Sequence, residues 1–317
     1  MKHFTVAIAL TTALMLACQK VPITGRKQLM LFNSKELLPM SFTNYRGVLD
    51  TSRVLKNGTQ AQLVRRVGLR IQKSVEDYMI ANGYGKLLDG FQWEFNTIES
   101  RMVNAWCMPG GKVVFYTGIL PICEDEAGIA VVMGHEVSHA IASHGAERMS
   151  QGMMAQYGMV AGQITLGIAM ANKPQQTQNM YAGLFGLAAP IAANVGYILP
   201  NSRNQESEAD QLGLKFMAMA GYDPSTAPEF WRRMSKLGGG QKPPQFLSTH
   251  PADETRVAAL ERQLPAAAEL YNKALPTVGK APNQRVDATQ IDNTATDYGV
   301  PEMGGSLRGN GVKKKKN

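Results

Sequence analysis

The chain has 317 residues, a mass of 34.5 kDa, 44% hydrophobic and 18% charged residues. That apolar supply fills one large or two modest cores and excludes a wholly disordered chain, and a mean hydropathy of -0.19 without a long, charge-free apolar run speaks against a polytopic membrane protein. The formal charge of +8 does not mark a nucleic-acid face: residues 302–317 carry Arg308 and Lys313 to Lys316 against Glu302, a local +4, and Lys2 lies in a segment expected to be removed, which leaves +3 for the body.

The first element is an address. Lys2 precedes an apolar run from Phe4 to Leu16, and Cys18 follows Ala17 directly. This pattern reads as a bacterial export signal over residues 1–17, with Cys18 as a lipidated first residue. Neither Gln19 nor Lys20 is acidic, which by similarity to known sorting rules favours an outer-membrane lipoprotein facing the periplasm. Cys107 and Cys123 then remain as an even pair in an oxidising compartment. They read either as a disulfide that stabilises by about 3 kcal/mol or as two buried small hydrophobes.

Residues 19–33 read as an extended lead-in. Asn33 and Glu36 resemble a capping box that opens a helix to about Leu55. Leu63, Val67, Ile71 and Val75 give a helix over Gln60 to Ile80 one apolar stripe. Phe91 to Ile98 and Lys112 to Thr117 read as strands, the second after the turn signal Pro109-Gly110-Gly111. A long helix is expected from Glu124 to about Met153. Residues 158–199 form two apolar segments split at Lys173-Pro174, read as helices covering a cleft, with an interfacial membrane surface as the alternative. Further helices are expected over 206–220, 224–237 and 251–274. The folded domain is thus 18–275, and 276–317 reads as a low-complexity, disordered basic tail.

The chemistry lies in His135-Glu136-Val137-Ser138-His139. On a helix, positions i and i+4 share a face, so both imidazoles can meet one Zn²⁺. Glu136 is turned about 100° from His135 and can act on water without ligating the metal. The combination has a chemical reason: zinc lowers the pKa of a water towards about 7, and a carboxylate takes its proton and returns it to the leaving amine. Ala142 and Gly145 stand where a metzincin needs Gly and His, so a third ligand lies elsewhere. His144 reads as a surface or supporting polar group. Glu206, Glu208 and Asp210 are all possible ligands on their chemistry alone.

His-Glu-x-x-His followed by Ser202-Arg203-x-x-Glu206-x-x-Ala209-Asp210 resembles metallopeptidase family 48, which holds CAAX prenyl endopeptidases and the HtpX-type and Oma-type peptidases. Asn104-Ala105, the run Gly110 to Gly118, Thr249-His250-Pro251 with Arg256, and the lead-in Pro22-Ile23-Thr24-Gly25-Arg26 extend the similarity over about residues 21–265. The resemblance implies a mainly helical α+β, zincin-like fold with a small antiparallel sheet beside the metal helix. It implies one zinc ion per chain held by His135, His139 and Glu206. Asp210 would support a ligand histidine, and Glu208 would be a bystander. His250 or Arg256 would supply a donor to the oxyanion; alternatively, His250 would occupy zinc's open position and hold the enzyme latent. A substrate peptide would pair with an edge strand at Val113, Val114 and Phe115. The expected activity is hydrolysis of misfolded or mislocalised envelope proteins, with a chaperone-like factor for outer-membrane proteins as the alternative. Expected partners are extended polypeptides, the membrane through Cys18 and outer-membrane assembly machinery, with no nucleic acid.

Overall fold

A computed structural model describes residues 18–21, 23–238 and 243–290. The expected signal segment 1–17 and the lysine cluster at 313–316 lie outside the described residues. The lead-in doubles back on itself, β1 (Cys18–Lys20) pairing antiparallel with β2 (Lys27–Leu29). The Asn33 capping box forms, opening a short 3-10 turn over Ser34–Leu37 that runs into α1 (Leu38–Asp50). The stripe read in the second helix is the core face of α2 (Thr59–Ala81): Leu63, Val67, Ile71 and Val75 are fully buried.

Three strands follow: β3 (Glu94–Ile98), β4 (Ala105–Met108) and β5 (Lys112–Tyr116). They form a sheet ordered β3-β5-β4, in which β5 runs parallel to β3 and antiparallel to β4. The sheet is therefore mixed rather than antiparallel. Val113, Val114 and Phe115 are not an edge either. They lie on the central strand, bonded on both sides and fully buried. The reason is local. Gly110 and Gly111 both take positive φ (89° and 79°), which glycine adopts at little cost, and the resulting tight turn lays β4 along the flank of β5. The edge beside the metal helix is β4.

After α3 (Leu120–Cys123) comes α4 (Glu126–Ile141), which carries the His-Glu-x-x-His run. Every residue of α4 except Ala140 is buried, so it is the central helix of the domain rather than a one-sided surface helix. The expected long helix does not continue past it. Ser143 takes a left-handed conformation (φ 60°), uncommon for a non-glycine residue, and its hydroxyl meets that of Ser34 at 2.6 Å. A new helix, α5 (His144–Met170), starts there. The chain then runs through α6 (Gln175–Ala193), a π-helical turn at Asn194–Ile198, α7 (Leu199–Met219), α8 (Thr226–Leu237), α9 (Gln245–Thr249) and α10 (Glu254–Val278).

Cys107 and Cys123 are separate free thiols, which corrects the disulfide reading. Cys123 is packed as a small apolar group in the main core, and Cys107 faces the Met108 carbonyl from β4. Burial raises both thiol pKa values, so neither is poised as a thiolate for exchange. The domain boundary at 275 is also corrected. Residues 281–286 bind the start of α4: the Glu126 amide donates to the Gln284 carbonyl (3.1 Å) and the Ala127 amide to Asn283 Oδ1 (3.0 Å). Those are first-turn amides with no partner inside the helix, and the segment is held because it satisfies them.

No residue from 152 to 193 is buried. Tyr157, Val160, Ile164 and Ile168 on α5, and Leu184, Leu187 and Ile191 on α6, are exposed at helical spacing. The hairpin thus turns large apolar side chains outward, with Gly162 seated against Phe185 between its arms. No described helix is long and apolar enough to cross a membrane.

The contact that builds the site is between α4 and α7. At their crossing Gly134 meets Gly213 backbone to backbone. A Cβ on Gly213 would lie 2.8 Å from the Gly134 carbonyl carbon and from the His135 amide nitrogen. Gly213→Ala is expected to push the helices apart and lower the stability of the metal-free protein by about 1–3 kcal/mol, read by urea unfolding. Zinc affinity should fall with it, because the two helices carry different ligands.

Candidate metal centre

His135 and His139 stand one turn apart on α4, and Glu206 faces them from α7. Their donor atoms form a triangle: His135 Nε2 to His139 Nε2 is 3.1 Å, His135 Nε2 to Glu206 Oε2 is 3.3 Å, and His139 Nε2 to Glu206 Oε1 is 3.5 Å. Ligands about 2.0–2.1 Å from a tetrahedral zinc lie about 3.3–3.4 Å from each other, so the triangle has the right size for one ion. His250, following α9, closes a fourth corner, its Nδ1 3.1 Å from His135 Nε2 and 2.8 Å from Glu206 Oε2. These four side chains are all buried and form the one such cluster found among the described residues. The donor set, nitrogen and carboxylate oxygen with no thiolate, suits zinc.

The protonation states agree. Burial lowers the pKa of His139, against the opposing pull of Glu206, and keeps the ring neutral as a ligand must be. Burial also opposes ionisation of Glu206, but the neighbouring His250 is the largest of the causes that override it and hold the carboxyl well below its ordinary range. Glu136 behaves differently. Burial pushes its carboxyl up to about 7, with His250 opposing and Glu206 adding to the rise. Its Oε1 is buried without a hydrogen-bond partner and lies 3.3 Å from His250 Nε2. A buried carboxylate oxygen without a hydrogen bond is costly unless something else comes to it.

Asp210 lies one turn beyond Glu206 on α7 and accepts from His135 Nδ1–H at 3.0 Å. That bond fixes the ring orientation and leaves Nε2 bare towards the ion. Arg256 does not face an open cleft. Its guanidinium donates to both Asp210 oxygens (2.5 and 2.8 Å) and to the Pro251 carbonyl (3.0 Å), and stacks 3.6 Å above the Trp231 ring. It holds Asp210, which in turn holds His135, and its Nη2 also lies directly against the His135 ring, 3.2 Å from Nδ1 and 3.3 Å from Nε2.

The sequence reading missed several neighbours. Trp231 and Phe246 stack on one another, and both stand edge-on to His135. Arg148 on α5 donates to Glu206 Oε1 at 3.2 Å. His144 takes the supporting role expected as one of its two readings, buried 2.8 Å from His139, but Glu208 is buried beside it at 2.9 Å and is not a bystander. The break at Ser143 brings the His144 ring back onto His139. On a continuous helix it would have faced elsewhere.

A model of peptidase family M48 matches residues 68–264. The mitochondrial metalloendopeptidase OMA1 of Schizosaccharomyces pombe is 35% identical over 181 residues, which cover 57% of this chain and 49% of that protein. The human mitochondrial metalloendopeptidase OMA1 is 27% identical over 78% of this chain and 46% of its own length. A putative beta-barrel assembly-enhancing protease of Vibrio cholerae is 30% identical over 51% of this chain and 33% of its own length. The matches thus span about half the length of these relatives or less.

Proposed function

The chain belongs to peptidase family M48, and on that footing we propose that it is a zinc-dependent endopeptidase acting on misfolded or mislocalised proteins of a bacterial envelope. The observation that carries this reading is the triangle of His135, His139 and Glu206 donor atoms, with a buried Glu136 oxygen beside it that has no hydrogen bond. Zinc bound there supplies a Lewis acid that polarises the scissile carbonyl and makes water a nucleophile near neutral pH. Glu136 takes the proton of the attacking water and returns it to the departing amine. The substrate peptide aligns along β4, where main-chain pairing gives affinity with little demand on sequence. Of the two donors considered for the developing oxyanion, His250 is the better supported: its Nε2 faces Glu136 at 3.3 Å, whereas Arg256 Nη2, though 3.3 Å from His135 Nε2, is held by Asp210. In the resting arrangement His250 stands at the fourth corner and has to move aside for substrate.

The envelope assignment rests on the Lys2-to-Cys18 pattern, with Cys18 as the lipid-bearing residue on the periplasmic face of the outer membrane. The outward apolar hairpin of α5 and α6 supports a membrane-side location. The name of the Vibrio relative supports an action close to outer-membrane protein assembly.

The test is direct. The purified chain should contain about one zinc ion by elemental analysis and should degrade casein in a manner abolished by a chelator and restored by zinc. Binding of unfolded protein without any zinc-dependent cleavage would instead favour a chaperone-like factor.

A further inference from the structure

The lead-in reaches the metal centre. Arg26 donates Nη1 and Nη2 to the two Glu147 oxygens (2.8 and 2.7 Å) and Nε to Glu208 Oε2 (2.7 Å), and the Thr24 hydroxyl donates to Glu208 Oε1. Gln205 donates its amide to Glu147 Oε2 at 2.7 Å and closes the group. Each Glu208 oxygen thus accepts from a donor of the lead-in, Oε1 from Thr24 and Oε2 from Arg26. With donors already on both oxygens, Glu208 faces His144 as an acceptor and takes the hydrogen of His144 Nε2, 2.9 Å away. His144 Nδ1 is then bare. It faces His139 Nδ1 at 2.8 Å, and two bare nitrogens at that distance would repel, so the hydrogen between them sits on His139. His139 Nε2 is therefore left with its lone pair towards Glu206 and His135, where the ion belongs.

We propose that Thr24, Arg26, Glu208 and His144 form a relay that sets the tautomer and orientation of His139, so that the segment before the matched family region completes the metal centre. This deepens the zinc-peptidase reading and rests on it. Each ligand histidine then owes its bare Nε2 to a carboxylate: His135 to Asp210 directly, His139 to Glu208 through one intervening ring. All four relay members are positioning residues, since none touches the ion's corner of the site. The relay also gives a physical reason for Thr24-Gly25-Arg26. Gly25 takes φ 72° in the turn between β1 and β2, and the residues on either side of it both reach Glu208.

The experiment measures zinc affinity of the metal-free full chain by competition with a chromophoric chelator, together with the visible spectrum of the cobalt-loaded protein. His144→Phe keeps a ring of similar bulk but no acceptor, and should weaken zinc about 10–100-fold and shift the cobalt bands. His144→Gln offers an amide oxygen to His139 and should recover most of the affinity, which a packing role alone would not produce. Arg26→Met, at a half-buried position, should weaken zinc in the same direction by a smaller factor and serves if His144→Phe does not fold. Zinc affinity and cobalt bands unchanged in both His144→Phe and Arg26→Met would overturn the relay while leaving the peptidase reading intact. A parent chain that takes up no zinc at all would sink both.

Discussion

An E136Q protein keeps its zinc and loses casein hydrolysis by at least ~10²-fold, the scale on which a general base contributes. Glutamine has the same shape, and Glu136 touches none of the three ligand contacts, so the ion's site is undisturbed. What disappears is the group able to accept and return a proton. The substitution should not destabilise the fold. Glu136 is buried with an oxygen that has no hydrogen bond, and burial already disfavours its charge, so a neutral amide is easier to hold there. Zinc by elemental analysis, a thermal melt and a cleavage rate on the same preparation check all three points. Full cleavage by E136Q would remove Glu136 from the role of base.

The parts of the site legible in the sequence are those that depend only on helix periodicity. Two histidines at i and i+4 need nothing but a helix to meet, and α4 supplies it. The choice among Glu206, Glu208 and Asp210 was not legible in that way, because all three stand near one another on α7 and the deciding fact is which face meets α4. Glu206 and Asp210, one turn apart, share that face. Glu208, two residues on from Glu206, points to the other side and meets His144 and Arg26. His144 takes the supporting one of its two expected roles, but its partner was not legible, because the turn at Ser143 has no local signal: serine has no general preference for the left-handed region, and the bond to Ser34 that accompanies it comes from far away in the chain.

The sheet and the tail depart from the sequence expectation, each for a physical reason. β4 is Ala-Trp-Cys-Met, four residues with no alternation to detect, so sequence pattern alone presents its neighbour β5 as the edge. The stretch from 276 to 290 has a Pro, Gly and Asn content that correctly denies it a core of its own. Composition says nothing about docking, however, and the unpaired amides of α4 at Glu126 and Ala127 hold residues 283 and 284 in place. For the tail the missing information was a long-range partner; for the sheet it was a strand too short to carry a local signal.

Glu206→Ala is the sharpest test of the ligand assignment, because it separates three carboxylates that share one helix. Zinc affinity should fall by more than the ~10–100-fold expected for the supporting groups, since a bond to the ion itself is lost. The metal-free protein should weaken as well. Glu206 lies against His250, Arg148 and, at 3.5 Å, Arg256, and deleting one partner from a buried charged group costs about 3–5 kcal/mol. Arg256 retains Asp210, and Arg148 is half exposed and retains Gln205, so the cost belongs at the lower end of that range. Glu208→Ala should differ in kind: zinc weakened but still bound, because His144 remains beside His139 and only its own partner is gone. If the two variants exchanged behaviours, with Glu206→Ala retaining zinc and Glu208→Ala losing it, the ion would have to sit on the His144 side of His139. The triangle of donors on which the hydrolytic reading depends would then be empty of purpose.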